Sequence, residues 1–477
     1  MQLRLKNLIF PLNKKISRQV LVLALPVILS NLSRVFMSLT DMAMVGRLGA
    51  PALAAVGMGS MVVWTILSMG ISLRTAVQTV AARRLGQQRR LECGTALHNG
   101  LLMAMISGLP LSLIGYALSG RLAPILLSDP AVIPLCADYM SLAFISVFFI
   151  SLGFAFQGFY TGVEKTRIHM NVTIVANALN IYLNAGLIYG SNGVAGFFDS
   201  LWGGSLSWVG LAWAWLPFPA LGVKGAAAAT LLASIWLLIH YLLYLIVPEI
   251  RKRYQVHRFR LDWQMMHRQI SLALPLATQE LLVMGSFVMF FKIVGMIGTA
   301  ELAATEVVFS IMGASFMPAA GVGQACATMV GKFLGERRPE MSEISIVESV
   351  RWSLIIMGTM GIIFFIFPDR ILPLFTNDPA VIKAGIVGLR VLAFAQFADA
   401  VGITLWFALT GAGNTIFPAV VDVLIAWCLF LPVSYFTGIV FGLGFFGPWF
   451  TFAIYILLFA SLMTWKILQG EWKSIAV

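Results

Sequence analysis

The chain has 477 residues, 59% of them hydrophobic and only 11% charged, against about 25% charged in an ordinary soluble domain. Its formal net charge is +12, and its four cysteines (Cys93, Cys136, Cys326, Cys428) are scattered without CxxC or metal-ligand spacing. This balance excludes a soluble globular protein and gives no basis for zinc or redox chemistry.

In chain order, the basic start "MQLRLKNLIFPLNKK" reads as a cytoplasmic tail. The apolar runs that follow are too many and too long for a signal peptide. Twelve spanning segments are predicted at roughly 18–45, 51–82, 94–120, 131–160, 168–190, 221–248, 267–296, 301–331, 349–368, 380–409, 416–439 and 444–468. The expected fold class is an all-α polytopic membrane protein.

The first segment contains Pro26, which should kink it, and an acid in its outer half, Asp41, seven residues after Arg34. A carboxylate at such depth costs roughly 3 kcal/mol on insertion scales. Asp41 is therefore either a working group or half of an ion pair with Arg34. The two-turn separation strains a tight pair and favours the first reading.

The fifth segment, "NVTIVANALNIYLNAGLIYG", places Thr173, Asn177, Asn180 and Asn184 on one helix face. Such a stripe serves either as hydrogen-bonding glue between helices or as an oxygen-rich face for a small cation or a proton. In the second half Glu280, Glu306, Asp399 and Asp422 interrupt apolar segments, with Lys292 and Arg390 available to neutralise them. Asp399, mid-helix, reads as functional; for Glu280, Glu306 and Asp422 structural and functional readings balance.

The two halves repeat. "LALP" at 23 and 272, "LAAVG" at 53 with "LAATE" at 302, and "LGQQRR" at 85 with "LGERRP" at 334 share an offset of 249. "SDPAVI" at 128 with "NDPAVI" at 377, and "TGVEKT" at 161 with "TGAGNT" at 410, keep the same offset. Near the end it falls to 222, so the first half carries about 27 extra residues within 191–220. Six helices per half is an even number, which makes the repeat parallel, with a pseudo-two-fold axis along the membrane normal. The expected organisation is an N-lobe at 1–249, a cytoplasmic linker at 250–265 and a C-lobe at 266–477.

With the N-terminus inside, 23 Lys and Arg fall in cytoplasmic tails and loops, and only Arg47, Arg121, Arg370 and Lys383 fall outside. The positive charge is thus topological, and nucleic-acid binding is not needed to explain it. "VGKF" at 330–333 lacks the glycine and the Ser or Thr of a phosphate loop, and no HExxH or GxSxG is present. The five histidines form no cluster in sequence. These features favour an ion-driven carrier whose lobes rock about a central cavity, and they argue against an enzyme.

Several stretches then carry a resemblance over nearly the full length. They are "LALPVILSNL", "SLTDMAMVGRLGAPALAAVG", "GFYTGVEKTR…ANALNIYLNAGLIYG", "LGVKGAAAAT", "FMPAAGVGQACATMVGKFLGE" and "FAQFADAVGITLWFALTGAGNT". With the six-plus-six repeat, the chain resembles the multidrug and toxic compound extrusion (MATE) family, in its NorM-like bacterial branch. The resemblance implies antiport of H+ or Na+ against organic, often cationic, compounds.

It also implies roles by position. Asp41 looks like the family's first-helix carboxylate, and Asn180 and Asn184 like its fifth-helix polar pair. Tyr139, Gln157 and Thr230 fall where members place further polar groups of the N-lobe cavity, and Asp399 matches the tenth-helix acid. The expected coupling set is Asp41, Asn180, Asn184, Thr230 and Asp399, with Asp41 and Asn180 as metal ligands if Na+ is the ion. The expected substrate cavity adds Tyr139, Gln157, Asn177 and Glu280.

One departure stands out: Val283 occupies the position of the branch's seventh-helix glutamate, and the acid is Glu280, one turn earlier. No cofactor is implied beyond the coupling ion. The expected partners are small organic substrates and lipid, for a monomer in the bacterial cytoplasmic membrane. A lipid-linked-oligosaccharide flippase of the wider superfamily is the alternative; it would need a strongly cationic central cavity.

Overall fold

A computed structural model of the chain describes residues 11, 13–200, 207–213, 216–475 and 477. Most of the basic N-terminal tail lies outside the described residues. Twelve helices among them are long and apolar enough to cross a membrane. The first lobe holds α1 (Lys14–Gly46), α2 (Ala50–Gly86), α3 (Arg90–Leu126), α4 (Ile133–Gly162), α5 (Thr166–Val194) and α6 (Val223–Ile246). The second holds α7 (Trp263–Ile297), α8 (Thr299–Gly335), α9 (Pro339–Ile366), α10 (Pro379–Ala412), α11 (Ile416–Val440) and α12 (Phe446–Gln469).

Local chemistry sets the ends of these helices. Asn13 caps α1 by accepting from the Lys15 and Ile16 amides at 3.0 and 3.2 Å, and Asp262 caps α7 through the Met265 amide at 3.0 Å. Gly413 closes α10 at φ 95°, in the left-handed region where glycine carries no Cβ penalty. In α11 the regular helix loosens into π-helical turns at Ile425–Phe430 and Phe436–Val440.

The pseudo-two-fold axis is visible as reciprocal contacts between the lobes. Thr79 Oγ1 donates to the Thr410 carbonyl at 3.1 Å, and Thr328 Oγ1 donates to the Thr161 carbonyl at 3.1 Å. The offset of 249 carries Thr79 to Thr328 and Thr161 to Thr410, so these are one bond seen twice. The same operation relates Gly86 to Gly335 and Arg83 to Lys332. A Cβ on Gly86 would collide with the Lys332 carbonyl, and a Cβ on Gly335 with that of Arg83. Residue i meeting j while j's mate meets i's mate is the signature of a two-fold interface.

All these contacts lie on the side of the two chain ends, the near side. There Gln78 donates to the Gln324 carbonyl and to Thr328, at 2.8 and 2.9 Å. Lys332 pairs with Glu164 at 2.9 Å, and Arg83 holds the Ala412 and Ile475 carbonyls at 3.0 and 3.2 Å. On the far side the lobes keep separate cores: one of α1, α2, α4 and α6 around Phe144 and Met140, the other of α7, α8, α10, α11 and α12 around Phe290, Phe430 and Trp449. The interlobe hydrogen bonds and ion pair thus lie on the near side, while on the far side each lobe packs around its own core.

Two helices cross between lobes. The near half of α1 buries Ile16, Val20, Leu23 and Ala24 against Val322, Ala325, Met329 and Phe333 of α8, while its far half packs on α5. Its mate α7 does the reverse. Met265 and Leu272 join the N-lobe core, and Gln269 donates to the Ala96 carbonyl at 3.0 Å. Pro26 and Pro275, mates at the offset of 249, lie inside these two helices; α1 still meets α8 at Asn31, which donates to the Met317 carbonyl at 3.3 Å, and turns to α5 from Ser33 onward.

The extra segment folds back on the far end of α5. Gly190, at φ 75°, breaks the helix, which then resumes as far as Ser200. Trp213 stacks on Tyr182 with ring centroids 4.9 Å apart and donates to the Tyr182 carbonyl at 2.8 Å.

Candidate functional site

The far half of the N lobe carries a continuous polar network. Asn184 donates through Nδ2 to Asp41 Oδ1 and, at 3.0 Å, to Asn180 Oδ1. Asn180 in turn donates to Thr230 Oγ1 at 3.4 Å, and Thr230 donates to the Ala226 carbonyl at 3.1 Å. The network therefore joins α1, α5 and α6. Asn180 and Asn184 are buried, Asp41 and Thr230 half-buried. Asn184 Oδ1 is buried with no partner; a spare amide oxygen beside a carboxylate is a ligand a small cation can use.

The ion pair between Asp41 and Arg34 considered from the sequence is not formed; the hydrogen bond of Asp41 is with Asn184. The other N-lobe carboxylates of the described residues sit at helix ends, where Glu92 pairs with Arg84 at 3.0 Å, Asp138 with Lys224 at 3.2 Å and Glu164 with Lys332. Asp41 is the described carboxylate placed within the N-lobe bundle.

Further down the α5 stripe, Asn177 donates to Ser33 of α1 at 2.8 Å. Thr173 meets His169 Nδ1 at 3.3 Å, and His169 Nδ1 meets the Tyr241 hydroxyl of α6 at 2.7 Å. Tyr139 and Gln157 are both buried but do not join the Asp41 network. Tyr139 covers Gly59 of α2, and Gln157 leaves its Nε2 without a partner.

In the C lobe, Asp422 accepts from Gln279 Nε2 at 2.6 Å and from the Tyr455 hydroxyl at 2.5 Å. Glu280 and Asp399 lie within electrostatic reach of Asp422, so α7, α10 and α11 bring three acids together, with Tyr455 of α12 beside them. Val283 is half-buried, and the seventh-helix acid of this chain reaches the group from Glu280. Lys292 and Arg390, proposed from sequence to neutralise these acids, are exposed and form no ion pair among the described residues. Glu306 is exposed too. No cluster of three His, Cys, Asp or Glu suited to a tightly held metal occurs among the described residues.

Two families of residues escaped the sequence reading. Asp422 gives no decisive signal in sequence because its partners Gln279 and Tyr455 are far apart along the chain. Arg74 was passed over, although an arginine in the middle of an apolar segment is itself a flag for function.

The architecture and this network can be set beside known proteins. The MatE family model matches residues 26–185 and 275–436, one match in each lobe. The chain belongs to the MatE family. This MATE chain is 26% identical over 466 residues to a Thermotoga maritima protein named "Probable multidrug resistance protein NorM", covering 97% of this chain and 94% of that one. A MATE solved in the straight conformation superposes with a TM-score of 0.84 at 19% identity, over 96% of this chain and 97% of that one. An outward-facing multidrug resistance MATE transporter of the MOP superfamily gives 0.84 at 18% identity, over 97% of each. The fold is thus that of a MATE transporter in two six-helix lobes, and a MATE protein is a multi-pass membrane transporter, not an enzyme.

Proposed function

We propose that this MATE protein is a secondary active multidrug exporter that antiports H+ or Na+ against organic, often cationic, compounds by alternating access. The observation that carries the reading is the Asp41–Asn184–Asn180–Thr230 network, a carboxylate in the far half of a spanning helix tied to an amide pair with one buried oxygen to spare. The name of the T. maritima relative supports the substrate class.

In this mechanism Asp41 takes up a proton, or holds Na+ with Asn180 and Asn184 as further oxygen ligands. Thr230 fixes Asn180. Loading neutralises the charge that orders the Asn184 amide, so the tie between α1 and α5 weakens. A cationic substrate in the cavity loses its counter-charge at the same moment. Because α1 changes lobes beyond Pro26, its far half can repack without disturbing the near half held on α8. Pro275 gives α7 the same freedom, so lobes 1–249 and 266–477 rock about the linker 250–265. The distribution of Lys and Arg makes the near side cytoplasmic, which makes the described state outward-open. Glu280 and Asp399 form a second cation or substrate station, and Tyr139, Gln157 and Asn177 line the N-lobe cavity. The protein works as a monomer in the bacterial cytoplasmic membrane.

The flippase alternative needs a strongly cationic central cavity. Glu280, Asp399 and Asp422 on the C-lobe side speak for export instead. Proteoliposomes with Na+ and pH gradients imposed separately test the reading. A fluorescent cationic dye should move in response to at least one gradient; indifference to both would sink it.

A further inference from the structure

Nearer the chain ends than Asp41, the N lobe holds a second polar layer that the coupling network does not use. His169 of α5 and Tyr241 of α6 meet there at 2.7 Å, and Arg34 of α1 and Arg74 of α2 lie within electrostatic reach of them. The charges of the two arginines reach each other and His169, and that of Arg34 also reaches Tyr241. Gln157 of α4 shares a helix face with Phe154, which covers Gly70 of α2, and with Gly153, which abuts Leu237 of α6. It therefore faces the lobe interior between those helices.

The fully buried atoms left without a partner at Arg74, Gln157 and His169 are all nitrogens. Arg74 is only 7% exposed, its Nε is buried without a partner, and neither Arg74 nor Arg34 makes a hydrogen bond or ion pair with a described residue. Gln157 Nε2 and His169 Nε2 are also buried and unpartnered. His169 Nδ1 meets the Tyr241 hydroxyl at 2.7 Å and Thr173 Oγ1 at 3.3 Å, and with the closer Tyr241 hydroxyl donating, the ring proton sits on Nε2. The carboxylate whose charge reaches Arg74 is Glu280, across the lobe boundary, and no ion pair links the two.

A guanidinium does not escape burial by losing its proton. An arginine at the centre of a span is costly to insert, so two without an ion pair call for a compensating anion. A carboxylate, which only accepts, complements two guanidinium groups, which only donate. Asp41 lies seven residues beyond Arg34 on α1, about 10 Å along the helix. The lobe interior thus has an acidic end and a basic end.

We propose that Arg34 and Arg74, with Gln157 and His169, form an anion subsite that holds the carboxylate of a zwitterionic substrate whose cationic end faces Asp41. The proposal rests on the export reading and deepens it: zwitterions with charges roughly 10 Å apart are preferred over simple cations.

The test uses the full chain in nanodiscs of neutral lipid and two probes, a xanthene dye with a free carboxylate and its methyl ester. The wild type should bind the zwitterionic dye more tightly. Arg74→Gln and Arg34→Gln should each weaken it about 10-fold, the scale of one lost charge-assisted bond. The ester should be held within about 2-fold in the same variants, and Arg74→Lys should restore part of the zwitterion affinity. Retained ester binding also shows that the variants are folded. Equal weakening of both dyes, as an Arg74–Glu280 closure contact would produce, overturns the proposal. So does a wild type without preference, or displacement of the dye when anionic phospholipid is added, since the anion is then a headgroup. If the wild type binds neither dye, the export reading falls and the subsite with it.

Discussion

Asn184 on α5 spends both hydrogens of one side-chain nitrogen on acids and amides of its own layer, one on Asp41 of α1 and one on Asn180 a turn away at 3.0 Å. The arrangement orients Asp41 without adding a second negative charge. A single carboxylate matches a single unit of positive charge, which suits a proton at least as well as Na+.

Asn184→Asp should change that balance. Two carboxylates side by side in a membrane interior favour a bound metal cation that neutralises both. Transport driven by a Na+ gradient at fixed pH should rise relative to transport driven by a pH gradient. Dye flux in proteoliposomes under each gradient reads the shift.

The near-side closure has two symmetry-related bonds that are not equal in consequence. Thr79→Val removes one hydroxyl donor and should cost about 1 kcal/mol. Thr328→Val also strips Gln78 of one of its two acceptors, leaving the Gln324 carbonyl alone at 2.8 Å. It should therefore cost more, roughly 2 kcal/mol. Thermal unfolding of the two variants in one detergent checks the order.

Arg83 reaches across the interface to two carbonyls, Ala412 and Ile475, while Gly86 on the same helix lets the Lys332 backbone approach. Arg83→Ala and Gly86→Ala should both open the near side, the second by a steric cost of about 1–3 kcal/mol. Distances between spin labels on the near ends of α2 and α8 should lengthen in both variants.

The twelve spans, the repeat and the polar face of α5 were legible in the sequence, while the grouping of Asp41 with Asn184 followed from the family resemblance. Hydropathy, a constant offset and a 4-3-4 spacing of polar residues each report local geometry directly. The sense of the interface was not legible. Nothing in the apolar pattern says that α1 and α7 exchange lobes, because lipid, a sister lobe and a home lobe all accept the same Leu, Val and Ala. The surroundings of Arg34 were not legible either. The two-turn separation argued against a pair with Asp41, and no such pair forms, but only packing brings Arg34 within reach of Arg74 and His169. Asp422 needed Gln279 and Tyr455, from α7 and α12, before its burial made sense.

Asp422 sits under two donors at 2.6 and 2.5 Å in the C lobe. If it serves mainly to position Glu280 and Asp399, Tyr455→Phe should leave the protein folded but lower substrate-stimulated ion flux. Asp422→Asn should lower it further. Flux assays on both, with circular dichroism as the folding control, check the order.

The central claim is that Asp41 is the coupling carboxylate. Substrate-driven ion flux in proteoliposomes containing wild type or Asp41→Asn measures it most directly. The account predicts that the variant keeps its fold and its ability to bind a dye but loses ion flux almost completely. Undiminished ion flux in Asp41→Asn would contradict it.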